Sequence, residues 1–145
     1  PLKQKVFGVF PHRVINRKSP LTRGFDETFF VPHSRHTAVK AADIKKVKDL
    51  EILVTSKQAG IHIVSSKNGS RVFVMGHSEY DPYTFQKEYE RDLKKGLPIK
   101  IPGNYFLNNN PSQPPVVSWR SHGFLLYFNW LNYFVYQTTP YNWVD

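Results

Sequence analysis

The stretch GIHIVSSKNGSRVFVMGHSEYDPYTF, residues 60 to 85, decides how the chain is to be read. Its first part is a hairpin. The runs 60–66 and 72–75 are apolar and rich in β-branched and aromatic residues. Between them, Asn68-Gly69 tolerates the positive φ of a tight reversal. The second run breaks at Gly76 and presents His77, Ser78 and Glu79 in succession. In extended backbone, residues 77 and 79 share a side, so an imidazole and a carboxylate can meet there. A carboxylate that accepts from one ring nitrogen fixes the tautomer and leaves the other nitrogen free to take a proton. Taken alone, His-x-Glu reads more readily as a histidine closing a buried strand beside an exposed carboxylate.

Working outward, KVFGVFPHRV (5–14) alternates like a strand that Pro11 interrupts, and TFFVPHS (28–34) is a short strand running into a polar turn. AADIKKV fits one or two helical turns with Asp43 near its start, and LEILVTS (50–56) is a further strand. After the opening stretch, DPYTFQKEYERDLKKG carries a helix signature. Thr84 is its expected cap, Glu88 lies near the position of a capping carboxylate, and Phe85, Tyr89 and Leu93 form its buried stripe. Gly96 stops it. The proline-rich segment 97–117 predicts an extended wrap anchored by Tyr105 and Phe106. Residues 118–141, SWRSHGFLLYFNWLNYFVYQTTPY, predict a helix of about 20 residues, apolar nearly all round and therefore buried. The pattern is mixed α/β, strand-rich first and helical later.

The global numbers limit the function classes. At 145 residues, 40% apolar and 15% aromatic, the chain is the size of one globular domain. The formal charge of +9 favours an anionic partner, but the basic residues are dispersed over loops and polar helix faces. A nucleic-acid- or phosphate-binding module without catalysis is the competing class. The chain holds no cysteine, which excludes disulfides and a cysteine nucleophile within it and is compatible with a cytoplasmic protein. No apolar run approaches the ~20 residues a membrane span needs, so a soluble protein is expected. Pro1 is preceded by no initiator or signal, so a piece of something longer is expected.

Six histidines raise the question of a metal. His33 and His36 stand three apart in PHSRHT, and His12, His77 and His122 could join them, yet no HExxH-like spacing is present. No metal site is expected, and His62, in an apolar strand, reads as a structural histidine.

The ordered segments PLKQKVFGVFPHRV, GFDETFFVPHSRHT, SKQAGIHIV, VFVMGHSEYDPYTFQKEYERD, NYFLNNNP and WRSHGFLLYFNWLNYFVYQTTPY resemble the C-terminal half of the bacterial homoserine O-acyltransferases of methionine biosynthesis. The resemblance covers essentially residues 1–145, as a partial domain. It implies the C-terminal part of a class I glutamine-amidotransferase-like (flavodoxin-like) α/β fold, with a β-hairpin and a long C-terminal helix. It implies a cytoplasmic enzyme with a Cys-His-Glu triad that moves an acetyl or succinyl group from acyl-CoA to the hydroxyl of L-homoserine. Acyl-CoA is a co-substrate, and no cofactor, nucleic acid or membrane is implied. His77 matches the general base and Glu79 its orienting acid. Lys5, Ser34 and Arg91 match substrate-binding positions; Arg91 would otherwise read as an exposed helix residue. Arg35, His36 and Tyr80 are given no role. The nucleophile lies in the N-terminal half, so these residues alone are expected to be inactive. They are also expected to expose apolar faces and a sheet edge, and to associate with the missing half or with a second copy.

Overall fold

The computed structural model describes residues 1–140. Five strands form one antiparallel sheet in the order β2-β1-β3-β4-β5: β1 (Val6–Val14), β2 (Thr28–Arg35), β3 (Leu50–Ser56), β4 (Gly60–Ser66) and β5 (Val72–Val74). A short helix α1 (Ala41–Lys46) precedes β3, and α2 (Thr84–Lys94) follows β5. The last element, α3 (Arg120–Trp130), continues through a π-helical turn (Leu131–Val135) into Tyr136–Thr138. The expected Tyr141 end of that helix lies outside the described residues.

The alternation of β1 and β2 separates two cores. Cross-strand partners share a sheet face, and successive residues alternate between faces. Phe29 stands opposite His12 and Val31 opposite Phe10, whereas Phe7 stands opposite Ser34 and Val9 opposite Pro32. The first face packs Leu21, Phe29, Val31, Leu53, Val54 and Ile63 against Leu126 of α3. The second packs Phe7 and Val9 against Phe85 of α2, against Tyr105 and Phe106 of the proline-rich segment and against Trp119 just before α3. The Phe7 and Phe85 rings meet edge-to-face at 5.2 Å, a contact worth about 0.5–1.5 kcal/mol beyond burial. The segment is tied down by two backbone bonds to the edge of β1 turned away from β2: the Val9 amide donates to the Gly103 carbonyl and the Gly103 amide to the Phe7 carbonyl. Tyr105 and Phe106 anchor it as expected.

Several expectations are corrected. Pro11 does not interrupt β1. Its missing N–H costs nothing there, because β1 meets β3 only at Arg13 and Val14 and leaves that edge open at Pro11. The run after the hairpin is not a buried strand: β5 is three residues long at the sheet edge, with Phe73 and Val74 exposed. Thr84 does not cap α2; the Asp81 carboxylate instead accepts the Tyr83 amide ahead of the helix. The buried stripe runs through Phe85 and Asp92, and Leu93 is exposed.

α3 is not buried all round. Gly123, Leu126 and Asn129 face the body, while Phe124 is 68% and Phe128 62% exposed. Asn129 explains why a polar residue sits on the inner stripe: its amide donates to the carbonyls of Leu21 and Arg23, at 3.1 and 2.9 Å. The other expected exposures are present among the described residues, namely a β5 edge that pairs with no further strand and an apolar surface running from Phe73 and Val74 onto Tyr127 and Trp130. Among the described residues no helix is long and apolar enough to cross a membrane.

Candidate active site

His77 and Glu79 come together through a turn, not through extended backbone. The chain leaves β5, and the His77 amide donates to Pro32 on the edge strand β2 at 2.8 Å. The Tyr80 amide then closes back on the His77 carbonyl at 3.1 Å. That reversal sets Nδ1 of His77 2.8 Å from Oε1 of Glu79. With Nδ1–H donating to the carboxylate, Nε2 carries the lone pair. The Tyr80 ring stacks on the imidazole at 4.5 Å and 13°, which restrains its rotation.

The turn has no room to drift. Gly76 lies so close to the inner face that a Cβ there would stand 2.5 Å from Cγ1 of Val31 and 2.9 Å from Nε2 of His33. On the other side, a Cβ on Gly123 would stand 2.9 Å from the Ser78 carbonyl oxygen. Both glycines let backbone approach where any side chain would push His77 away.

Lys5, Ser34 and Arg91 converge, and they converge on a residue that sequence reasoning missed. Lys5 is two residues before Phe7 and Ser34 is opposite Phe7, so both reach the face covered by α2. There the Glu88 carboxylate accepts from Lys5 Nζ at 2.6 Å and from Ser34 Oγ at 3.0 Å to each oxygen. Glu88 is only 17% exposed. Arg91, one helical turn on, lies 3.8 Å from Glu88 through Nη2, and its Nε donates to Asp92 at 2.6 Å. Its pKa is raised, chiefly by that bond to Asp92. The guanidinium is exposed, as an isolated reading of the helix predicts, but it borders a groove of ≈ 410 Å³ lined by Tyr80, Thr84, Lys87, Glu88 and Arg91. Tyr80 therefore joins the two halves of the site, with one ring on His77 and on the groove. Partial burial, then the charges of Glu88 and Glu79, hold its phenol above the ordinary range. The signal that could have found Glu88 was its spacing: a carboxylate three residues before Arg91 shares its helix face.

The remaining histidines divide. His36 is exposed and apart, and His122 pairs with Asp26 at 3.1 Å. His12, His33 and His62 are buried together beneath the turn that carries His77. Desolvation lowers all three, His12 to about 4 and His33 to about 2, with the nearby Arg35 guanidinium adding to the effect. They are neutral imidazoles. Among the described residues no group of three potential ligands is arranged to hold a metal.

The homoserine O-succinyltransferase family profile matches residues 1–141. A homoserine O-acetyltransferase of Acetivibrio thermocellus is 56% identical over 98% of this chain and 47% of its own length. One from Geobacillus kaustophilus is 59% identical over 99% of this chain and again 47% of its own. The chain thus spans about half the length of the curated relatives it matches. The solved structure of SMU.1228c overlays 90% of this chain and 52% of its own with a TM-score of 0.59 at 12% identity, a likeness of fold alone. The expected α/β class stands with it.

Proposed function

Because the chain belongs to the homoserine O-succinyltransferase family, we propose that the protein of which it is part transfers an acyl group from acyl-CoA to the hydroxyl of L-homoserine. The observation that carries this reading is the junction at Tyr80 of a His77–Glu79 pair with a groove bearing one half-buried carboxylate and one exposed guanidinium. An amino acid offers a carboxylate and an ammonium a fixed distance apart. The Arg91 fork suits the carboxylate and Glu88 the ammonium, with Ser34 and Lys5 holding Glu88 in place.

In the proposed reaction His77 Nε2 takes the proton of a cysteine thiol contributed from outside this chain. The thiolate attacks the thioester carbonyl, the carbon–sulfur bond to CoA breaks, and CoA leaves with that proton. His77 then accepts the homoserine hydroxyl proton as its oxygen attacks the acyl-enzyme. The new ester forms, the acyl–cysteine bond breaks, and the proton returns to the thiol. Glu79 supports the imidazolium in both halves of the cycle. The free β5 edge and the apolar surface on α3 are where the remainder of the longer protein packs.

The test is acyl-dependent release of CoA thiol by the full-length protein, with acetyl-CoA and succinyl-CoA offered separately. Activity that needs homoserine and disappears in His77→Asn supports the reading. Homoserine-independent turnover, or transfer by the 145-residue chain alone, refutes it.

A further inference from the structure

The buried histidine cluster is absorbed by none of the roles above. Its hydrogen bonds fix every tautomer. Nε of Arg35 donates to Nδ1 of His33 at 3.3 Å, so His33 carries its proton on Nε2. That proton is donated to Nε2 of His12 at 3.0 Å, and Nδ1–H of His12 ends on the Phe10 carbonyl at 2.8 Å. The third member does something different. Nδ1 of His62 accepts the amide of Gly76 at 3.2 Å, and the His62 carbonyl accepts the amide of Met75 at 2.8 Å. One strand residue therefore holds two successive amides directly before the base.

We infer that His62 is a positioning residue for His77, its ring nitrogen anchoring the Gly76 peptide that sets the height of the base over the groove. This rests on the acyltransfer reading above. Packing alone does not call for an imidazole here. The site is 1% exposed and surrounded by Phe29, His12 and His33 rings, where an apolar side chain would fill the same space without the desolvation of a polar ring. What the imidazole adds is an acceptor for an amide that β5, already ended at Val74, no longer pairs. The Gly76 backbone lies flush against Val31 and His33, so releasing that amide lets the turn lift in one direction only, outward. A misplacement of about an ångström at a reacting group costs on the order of 100-fold.

The experiment compares His62→Leu, His62→Asn and His62→Gln in the full-length protein. Asparagine keeps an acceptor near the place of Nδ1; glutamine carries its acceptor one bond further out; leucine has none. We expect His62→Asn to keep kcat within a few-fold. We expect His62→Leu to lose roughly 10–100-fold in kcat with KM for homoserine unchanged, since Ser34, Glu88 and Arg91 are untouched. The acidic limb of its rate profile should also move, because the His77–Glu79 bond loosens. If the leucine variant does not fold, asparagine exceeding glutamine in kcat carries the same conclusion. Equal kcat across the variants, or a loss confined to KM with an unmoved pH profile, overturns the positioning role. A fully active His77→Asn protein overturns the acyltransfer reading and this inference with it; an inactive one beside an unaffected His62→Leu overturns this inference alone.

Discussion

Acidification should destabilise this domain already above the range in which carboxylates titrate, and the histidine cluster sets the size of the effect. His12, His33 and His62 stay neutral in the fold because burial disfavours their charged forms. Once unfolded, each returns to an ordinary value near 6.5 and takes up a proton below it. The unfolded state then binds more protons, so stability falls as pH falls. It is intact above about 6.5 and is lost on descent toward about 4 for His12 and about 2 for His33. At pH 5 each neutral histidine costs about 2 kcal/mol relative to neutral pH. The three together cost about 6 kcal/mol, comparable with the whole stability of many domains. Urea unfolding followed by tryptophan fluorescence at pH 7, 6 and 5 measures this. The comparison with His62→Asn isolates one group, since other titrations cancel: the variant should gain about 2 kcal/mol on its parent between pH 7 and 5. A parent–variant difference that does not change with pH would refute the argument.

Three further outcomes follow from the site and its supports. Arg91→Lys keeps the charge but loses the fork, and should raise KM for homoserine by roughly 10–100-fold with kcat little changed. Gly123→Ala places a methyl against the Ser78 carbonyl and should lower kcat while leaving homoserine binding, measured by calorimetry, intact. Asn129→Leu strands the Leu21 and Arg23 carbonyls that its amide serves, and should cost about 1–3 kcal/mol in urea unfolding.

What was legible in the sequence was local. β3, β4 and the hairpin at Asn68-Gly69 could be read because alternation and turn chemistry are set by neighbours a few residues apart. His77 and Glu79 could be paired for the same reason, although the wrong geometry was expected: a turn closed by the Tyr80 amide brings them together. The exposure of β5 and α3 was illegible residue by residue. Apolar composition shows that a surface wants covering, but not whether the covering lies in the same 145 residues. Phe124 and Phe128 read as core by composition and are exposed here.

Glu88 shows where local reading stops. Its neighbours in sequence suggest a capping role near a helix start, and by charge alone it is one of several carboxylates on a solvated helix. Its place among Lys5, Ser34 and Arg91 becomes visible only when the β1–β2 register brings Ser34 opposite Phe7 and lays both under α2. Lys5, Ser34 and Arg91 are separated by dozens of positions, and the residue that unites them is the one with no signature of its own. A carboxylate held by a lysine and a hydroxyl at 2.6 and 3.0 Å is neutralised when the groove is empty, which keeps a half-buried charge tolerable. An incoming ammonium can share that carboxylate without a new charge being desolvated unpaired. On the proposed reading, the same ion pair that stabilises the empty groove makes it selective for a ligand that brings both signs.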